Sequence, residues 1–161
     1  MLKKTPKNSR SHSQGRGQLF AIVASRYNAL YVNGLLRAAH AALHAAGAAE
    51  VEVVRVPGSY EIPLAASELA RRNLRRPVAI LCLGVIWQGE TAHAHHIGEA
   101  ITQALMRLQM ETGVPCIHEV LLVNNRLQAR ARCLEPATNR GTEAAVTALK
   151  MSALLRALRG N

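Results

Sequence analysis

Aspartate is missing from this chain. All ten acidic residues among its 161 are glutamate. That counts against Mg²⁺ sites built on Asp, against EF-hand loops and against the Ser-His-Asp triad in its commonest form. Aromatic residues make up only 3%, so the core must be assembled from Ala, Leu, Val and Ile. No apolar run approaches the roughly 20 residues of a membrane span. The basic N-terminus has no apolar segment of the kind a signal peptide needs. The three cysteines, Cys82, Cys116 and Cys133, are odd in number and lack metal-ligand spacing. They are expected to be reduced thiols of a cytoplasmic protein, with no membrane contact.

What is present fits one globular domain with a sizeable core, given the length and a hydrophobic content of 49%. The net charge is +10, unevenly placed. Lys3, Lys4, Lys7, Arg10 and Arg16 lie in the first 17 residues with no acid among them, which is half of the excess. Residues 1–17 are therefore expected to be a disordered basic tail, and residues 18–161 a single domain. No aromatic is interleaved in the tail, so it is read as a solvated extension. Nucleic acid is expected as a partner only through it.

Apolar runs and helical patterns alternate along the domain. Leu19 to Ser25 is a near-continuous apolar run, the pattern of a strand buried on both faces. Asn28 caps a helix from Ala29 to about Ala46, closed by Gly47. A strand follows over Val51–Val56, then a Pro57-Gly58 turn and a helix entered through Ser59-Tyr60-Glu61, with Pro63 in its first turn, running to about Asn73. Val78–Leu83 is the third strand, and a helix runs from Thr91 to about Thr112. Cys116–Val123 is the fourth strand. Asn124-Asn125 starts a short helix to about Cys133, and a last helix spans about Asn139 to Leu158. Four strand–helix units predict an α/β fold: a four-stranded, mostly parallel sheet with helices on both faces, in three layers. Ligands of such sheets bind outside the carboxyl ends of the strands. Those ends carry Ser25–Asn28, Pro57–Glu61, Gly84–His93 and Leu122–Asn125.

The most informative of the four is Gly84-Val-Ile-Trp-Gln-Gly-Glu-Thr-Ala-His93, read as a strand-to-helix turn. Unpaired N–H groups at a helix start suit an anion, and Thr91 with Glu90 is either a cap or part of that anion site. His93 is either a surface histidine or, kept neutral near the positive helix end, a proton acceptor. His93 and His96 share a helix face, but no further ligand completes a metal set, so no metal is expected. Trp87 is either core or a pocket wall. Tyr27 is suited to stack on a planar heterocycle or to cover a helix. Arg130, Arg132 and Arg140 all offer a fork for phosphate, and spacing alone does not choose among them. His40 and His44 are read as structural, and His95 with Glu99 as a surface pair.

Arg26-Tyr27-Asn28, Val56-Pro-Gly-Ser-Tyr-Glu-Ile-Pro63, Gly84–His93 and Arg132…Asn139-Arg140-Gly141 together resemble the 6,7-dimethyl-8-ribityllumazine synthases, collinearly over about residues 18–158. The resemblance implies a flavodoxin-like sandwich. It also implies the condensation of 5-amino-6-(D-ribitylamino)uracil with 3,4-dihydroxy-2-butanone 4-phosphate, releasing phosphate and water, without metal or organic cofactor. It implies that Tyr27 stacks on the pyrimidine, that Ser59, Tyr60 and Glu61 line the ribityl and ring pocket, and that Val85, Ile86 and Trp87 contact the uracil. Glu90 and Thr91 mark the phosphate end, His93 moves protons, and Arg132 neutralises the phosphate. His118 stands where the family usually has a pocket Phe. The sites are implied to lie between neighbours in homopentamers, with His118 and Arg132 coming from the adjacent subunit; riboflavin synthase is a further partner the resemblance allows. The chain departs from the family at His118, at Gln88 in place of a frequent Arg, and at Pro136 in place of a frequent Lys. Its loop Leu134–Thr138 lacks the Gly-Thr-Lys-x-Gly pattern common in members that close into sixty-subunit shells. A flavin- or riboflavin-binding relative with little catalysis is the alternative reading.

Overall fold

The computed structural model describes residues 15–160; residues 1–14 of the expected tail, and residue 161, lie outside it. Residues 15–17 lie against the connection after the first helix. Gly15 N–H donates to Ala46 O, and Arg16 forms an isolated antiparallel bridge with Ala48.

The elements are β1 (Leu19–Ser25), α1 (Ala29–Ala45), β2 (Glu50–Val56), a 3₁₀ turn (Ser59–Glu61), α2 (Ile62–Ala70), β3 (Ile80–Trp87), α3 (His93–Thr112), β4 (Cys116–Val123), α4 (Arg126–Cys133) and α5 (Arg140–Arg159). The four strands form one all-parallel sheet in the order β2-β1-β3-β4. Alternate β1 side chains serve opposite layers, as the two-residue strand period requires. Phe20, Ile22 and Ala24 pack with α1, α4 and α5; Ala21 and Val23 pack with α2 and α3. The central strands are apolar on both faces because helices cover both. Among the described residues, no helix is long and apolar enough to cross a membrane.

Several boundaries differ from the sequence reading. The third strand starts later than Val78 and runs on to Trp87, because Gly84 through Trp87 pair with Val120 through Val123 of β4. What reads as the beginning of a turn is therefore strand. Helix α2 ends at Ala70 rather than Asn73. Its freed carbonyl at Ala70 accepts from Arg76 Nε at 2.6 Å, and Arg72 turns away to grip Glu52 of β2 with two hydrogen bonds. Helix α3 begins at His93, two residues after Thr91, with Ala92 as its cap residue and no side-chain cap. The other expected caps divide. Asn125 and Asn139 accept from Gln128 and Gly141 N–H, whereas Asn28 caps nothing with its side chain.

Candidate active site

The strand order reverses between β1 and β3. β1 leads outward to β2 on one side, and the chain then returns to add β3 on the other. The crevice above such a point is where open α/β sheets hold ligands. Here it is bridged by Asn28, the first residue past the β1 rim loop. Asn28 sits in the left-handed region at φ 57°, a conformation Asn tolerates better than most residues. From there its amide donates to Val85 O at 2.6 Å and accepts from Trp87 Nε1 at 2.9 Å. Trp87 is further held edge-on against Tyr31, centroids 5.6 Å apart. Asn28 thus clamps the ends of β1 and β3 together. A polar residue after a strand reads in sequence only as a helix cap, so this role gave no signal.

The Pro57 loop closes onto the same place. The N–H groups of Arg26 and Tyr27 both donate to Pro57 O. Gly58 N–H donates to Glu61 Oε2 at 2.8 Å. A side chain at Gly58 would come within 2.9 Å of that carboxylate and 3.3 Å of the Tyr27 ring. Tyr27 therefore lies flush over bare backbone while remaining 72% exposed. A Cβ at Gly84 would stand 2.5 Å from Ser59 Oγ; the glycine in β3 is the space that seats Ser59. Beneath the rim, Arg55 donates to Asn33 Oδ1 and to Ser25 O, and burial, with Arg26 nearby, pulls its pKa down.

Tyr27, Ser59, Glu61, Val85 and Trp87 are thus brought to one crevice. Val85 is buried, Ile86 and Trp87 are half-buried, and Tyr60 is exposed nearby. Helix α3 packs against the Ser59–Glu61 turn, which carries Glu90, Thr91 and His93 to the same side, all exposed. The connecting loop is tied back on itself: Gln88 Nε2 donates to Gly89 O at 2.8 Å, and Gln88 N–H donates to Val123 O. Among the described residues no cluster of three metal-ligating side chains occurs.

His118 and Arg132 stand apart from this crevice. His118 pairs in register with Cys82, well below the rim, and turns toward α3. Its Nδ1 accepts from Val120 N–H at 3.4 Å, and its Nε2 lies 2.9 Å from Thr102 Oγ1. Thr102 spends its own proton on Gly98 O at 2.8 Å. The ring nitrogen must therefore donate, which makes this a neutral Nε2–H imidazole. Burial lowers its pKa in the same sense. Arg132 lies on α4, which packs with α1 and α5, in the layer opposite α3.

The three arginines that spacing could not separate now differ. Arg130 pairs with Glu135 at 2.7 Å; Arg140 grips the buried Glu119 with two nitrogens and also bonds Glu143. Arg132 is exposed and makes no hydrogen bond or ion pair among the described residues. A groove of about 450 Å³ between α2 and α3 lies away from all of these side chains.

Fold and rim together define a doubly wound α/β domain. At its switch point are an exposed aromatic face, a carboxylate and a hydroxyl, and a histidine-bearing helix start lies alongside. A profile of the 6,7-dimethyl-8-ribityllumazine synthases matches residues 17–156. A 6,7-dimethyl-8-ribityllumazine synthase of Stenotrophomonas maltophilia (strain R551-3) is 40% identical over 141 residues, 86% of this chain and 90% of that one. The one from Kineococcus radiotolerans is 41% identical over 144 residues, 88% of each chain. The one from Xanthomonas campestris pv. campestris (strain B100) is 38% identical over 141. The chain belongs to the lumazine synthase family. It is an enzyme, a transferase of riboflavin biosynthesis acting on small molecules.

Proposed function

We propose that the β1/β3 crevice and the start of α3 form one half of the lumazine synthase site, and that β4 and α4 of a neighbouring copy in a pentamer supply the other half. The substrates are 5-amino-6-(D-ribitylamino)uracil and 3,4-dihydroxy-2-butanone 4-phosphate. Tyr27 stacks on the pyrimidine. Ser59, Tyr60 and Glu61 hold its ring and ribityl hydroxyls, and Val85, Ile86 and Trp87 form the wall. Glu90 and Thr91 mark the phosphate end, where the open N–H groups of α3 face the anion. His93 is the general acid/base for imine formation, phosphate loss and ring closure. The neighbour's Arg132 neutralises the leaving phosphate, and the neighbour's His118 covers the pyrimidine. Catalysis rests on bringing two substrates together and on charge neutralisation. The setting is the cytoplasm, in keeping with three free, buried cysteines.

The observation that carries this reading is the state of Arg132. It alone of the three candidate arginines has no carboxylate partner, and it lies in the layer opposite His93. A fork left free at that position suits a ligand held by another copy.

Mixing both substrates with the purified protein should form the fluorescent lumazine well above the uncatalysed rate; no acceleration sinks the assignment. His93→Ala should lower kcat, and Arg132→Ala should mainly raise the KM for the butanone phosphate. Unfolded and reassembled together in equal amounts, the two variants should regain about a quarter of wild-type activity, because a quarter of the interfaces then carry both native residues. Activity no higher than the sum of the separate variants refutes a divided site.

A further inference from the structure

At the end of the sheet opposite the rim lies a second cavity, of about 200 Å³. It is built where the chain enters three of the strands: Gln18 precedes β1, Arg76 to Val78 precede β3, and Gly113-Val114 precede β4. The last turns of α5 close it with Ser152, Leu155, Arg156 and Arg159. Three guanidiniums line it and no carboxylate does.

Two of them are fixed by main-chain acceptors. Arg159 Nη2 donates to Gly113 O at 2.8 Å; Arg76 donates through Nε to Ala70 O at 2.6 Å and through Nη2 to Thr112 O. These carbonyls close α2 and α3. They orient the two arginines and, as the partly negative ends of helices, offset some of their charge. They do not consume the remaining N–H groups, Nη1 of Arg76 and Nε and Nη1 of Arg159. The guanidinium of Arg156, an exposed residue on α5, has no hydrogen bond or ion pair among the described residues.

The floor is polar and nearly closed. Gln18 is 8% exposed and Ser152 3%. The Ser152 hydroxyl donates to Leu149 O at 2.9 Å and lies 3.4 Å from Gln18 Oε1. The other end of the Gln18 carboxamide, its NH₂, has no partner among the described residues. This NH₂ belongs to a side chain lining the cavity and is free to donate to a guest there. Donors thus converge from three arginines and one amide, without an opposing acid. The volume lies below the roughly 300 Å³ at which pockets for drug-sized molecules begin.

We propose that this cavity is a second anion site, taking a phosphate group and separate from the Arg132 site. Guanidinium forks match the oxygens of a phosphate in pairs. Arg156 closes over the anion, while Arg76, Arg159 and the Gln18 amide hold it from below. Free phosphate and the phosphoryl end of a small monoester share the chemistry the site recognises.

The test is calorimetric titration of the full-length protein, in phosphate-free buffer at constant ionic strength, with inorganic phosphate and separately with glycerol phosphate. The wild type should bind phosphate at this site, and Arg156→Ala should weaken that event at least about tenfold, the size expected for one charge-assisted contact. Arg76→Gln should act likewise, and lumazine formation should be unchanged in Arg156→Ala. Arg132→Ala should leave this event in place. If Arg132→Ala abolishes all phosphate binding, or if Arg156→Ala binds as the wild type does, the proposal falls. If phosphate binding depends on Arg156 and not at all on Arg132, this site stands and the phosphate role of Arg132 fails. Binding of glycerol phosphate that is lost in Arg156→Ala assigns the site to phosphate monoesters; binding of inorganic phosphate alone assigns it to the free anion.

Discussion

Replacing Arg140 by Met should destabilise the protein in a pH-dependent way. Glu119 sits on the face of β4 that packs against α5, with its side chain only 7% exposed. Arg140 meets both of its oxygens, Nε to Oε2 at 3.1 Å and Nη2 to Oε1 at 2.9 Å. Breaking a buried pair by removing one partner costs about 3–5 kcal/mol. Arg140 is itself 41% exposed, so water can reach the abandoned carboxylate, and the cost falls to about 2–3 kcal/mol. For a chain of this size that is a loss of about 5–10 °C in Tm. The sign with pH follows from Glu119. Burial is the largest influence on its pKa and raises it; the hydrogen bond from Arg140 opposes that, and the net shift is upward. A carboxyl with a raised folded-state pKa favours folding fully below its unfolded value. That contribution is lost as pH rises through the folded value. Without Arg140 the folded value climbs further, so the penalty should be small near the unfolded carboxyl pKa of about 4.3 and grow as pH rises above it. Urea titrations at pH 5 and pH 8, at one protein concentration and followed by Trp87 emission, measure both. Adding Glu119→Gln to Arg140→Met should recover more than half of the loss at pH 8, because the buried charge is then gone. An equal cost at the two pH values, or no recovery in the double variant, refutes the argument.

Two further predictions concern the crevice. Asn28→Ala removes both clamps between β1 and β3 and places a less tolerant residue at positive φ; about 2–3 kcal/mol of stability should go, with a shift in Trp87 emission. Asn28→Asp keeps the acceptor for Trp87 but not the donor to Val85 O, and should lie between the two. Thr102→Val frees the His118 ring from its fixed tautomer. On the proposed reading, the KM for the pyrimidine substrate should rise several-fold with kcat little changed, and Thr102→Ser should restore it. A fall in kcat alone would assign Thr102 to α3 and not to His118.

Much of the fold could be read from the chain because its strands are nearly uninterrupted apolar runs. β1 and β4 have the expected bounds, since a sheet covered on both faces favours long apolar runs, broken in β4 only by His118 and Glu119. β3 was misread for a reason that bears on function. Gly84 punctuates the run as a turn would, yet it serves in the strand as an opening for Ser59. The rim residues were legible where chemistry and motif coincide: Tyr27, Ser59, Glu61 and His93 lie on the same side of the sheet. It was not legible where side chains act through distant partners. Asn28 reaches residues 57 and 59 positions away, and Glu119 finds Arg140 across two elements. The choice among Arg130, Arg132 and Arg140 had no local signal either. It depends on which of them the fold has already neutralised.

The rim of a single chain also bears on why the site should be divided. Tyr27 is 72% exposed and Tyr60 64%, and the first turn of α3 opens to water. Imine formation and dehydration run against bulk water, and charge neutralisation of a leaving phosphate is weak in a high dielectric. The crevice therefore needs a wall that the described residues do not fold over it. The topology keeps the same chain's Arg132 away from it. With the order β2-β1-β3-β4, α3 is held on one face and α4 on the other. No small adjustment brings Arg132 around the sheet edge to His93. On the proposed reading, a neighbour meeting the rim with its own β4 edge and α4 would do both at once, drying the crevice and delivering a guanidinium. On that reading the neighbour's His118 would meet the contact already neutral, with its tautomer set by Thr102 and Val120, and would add no second positive charge beside the phosphate.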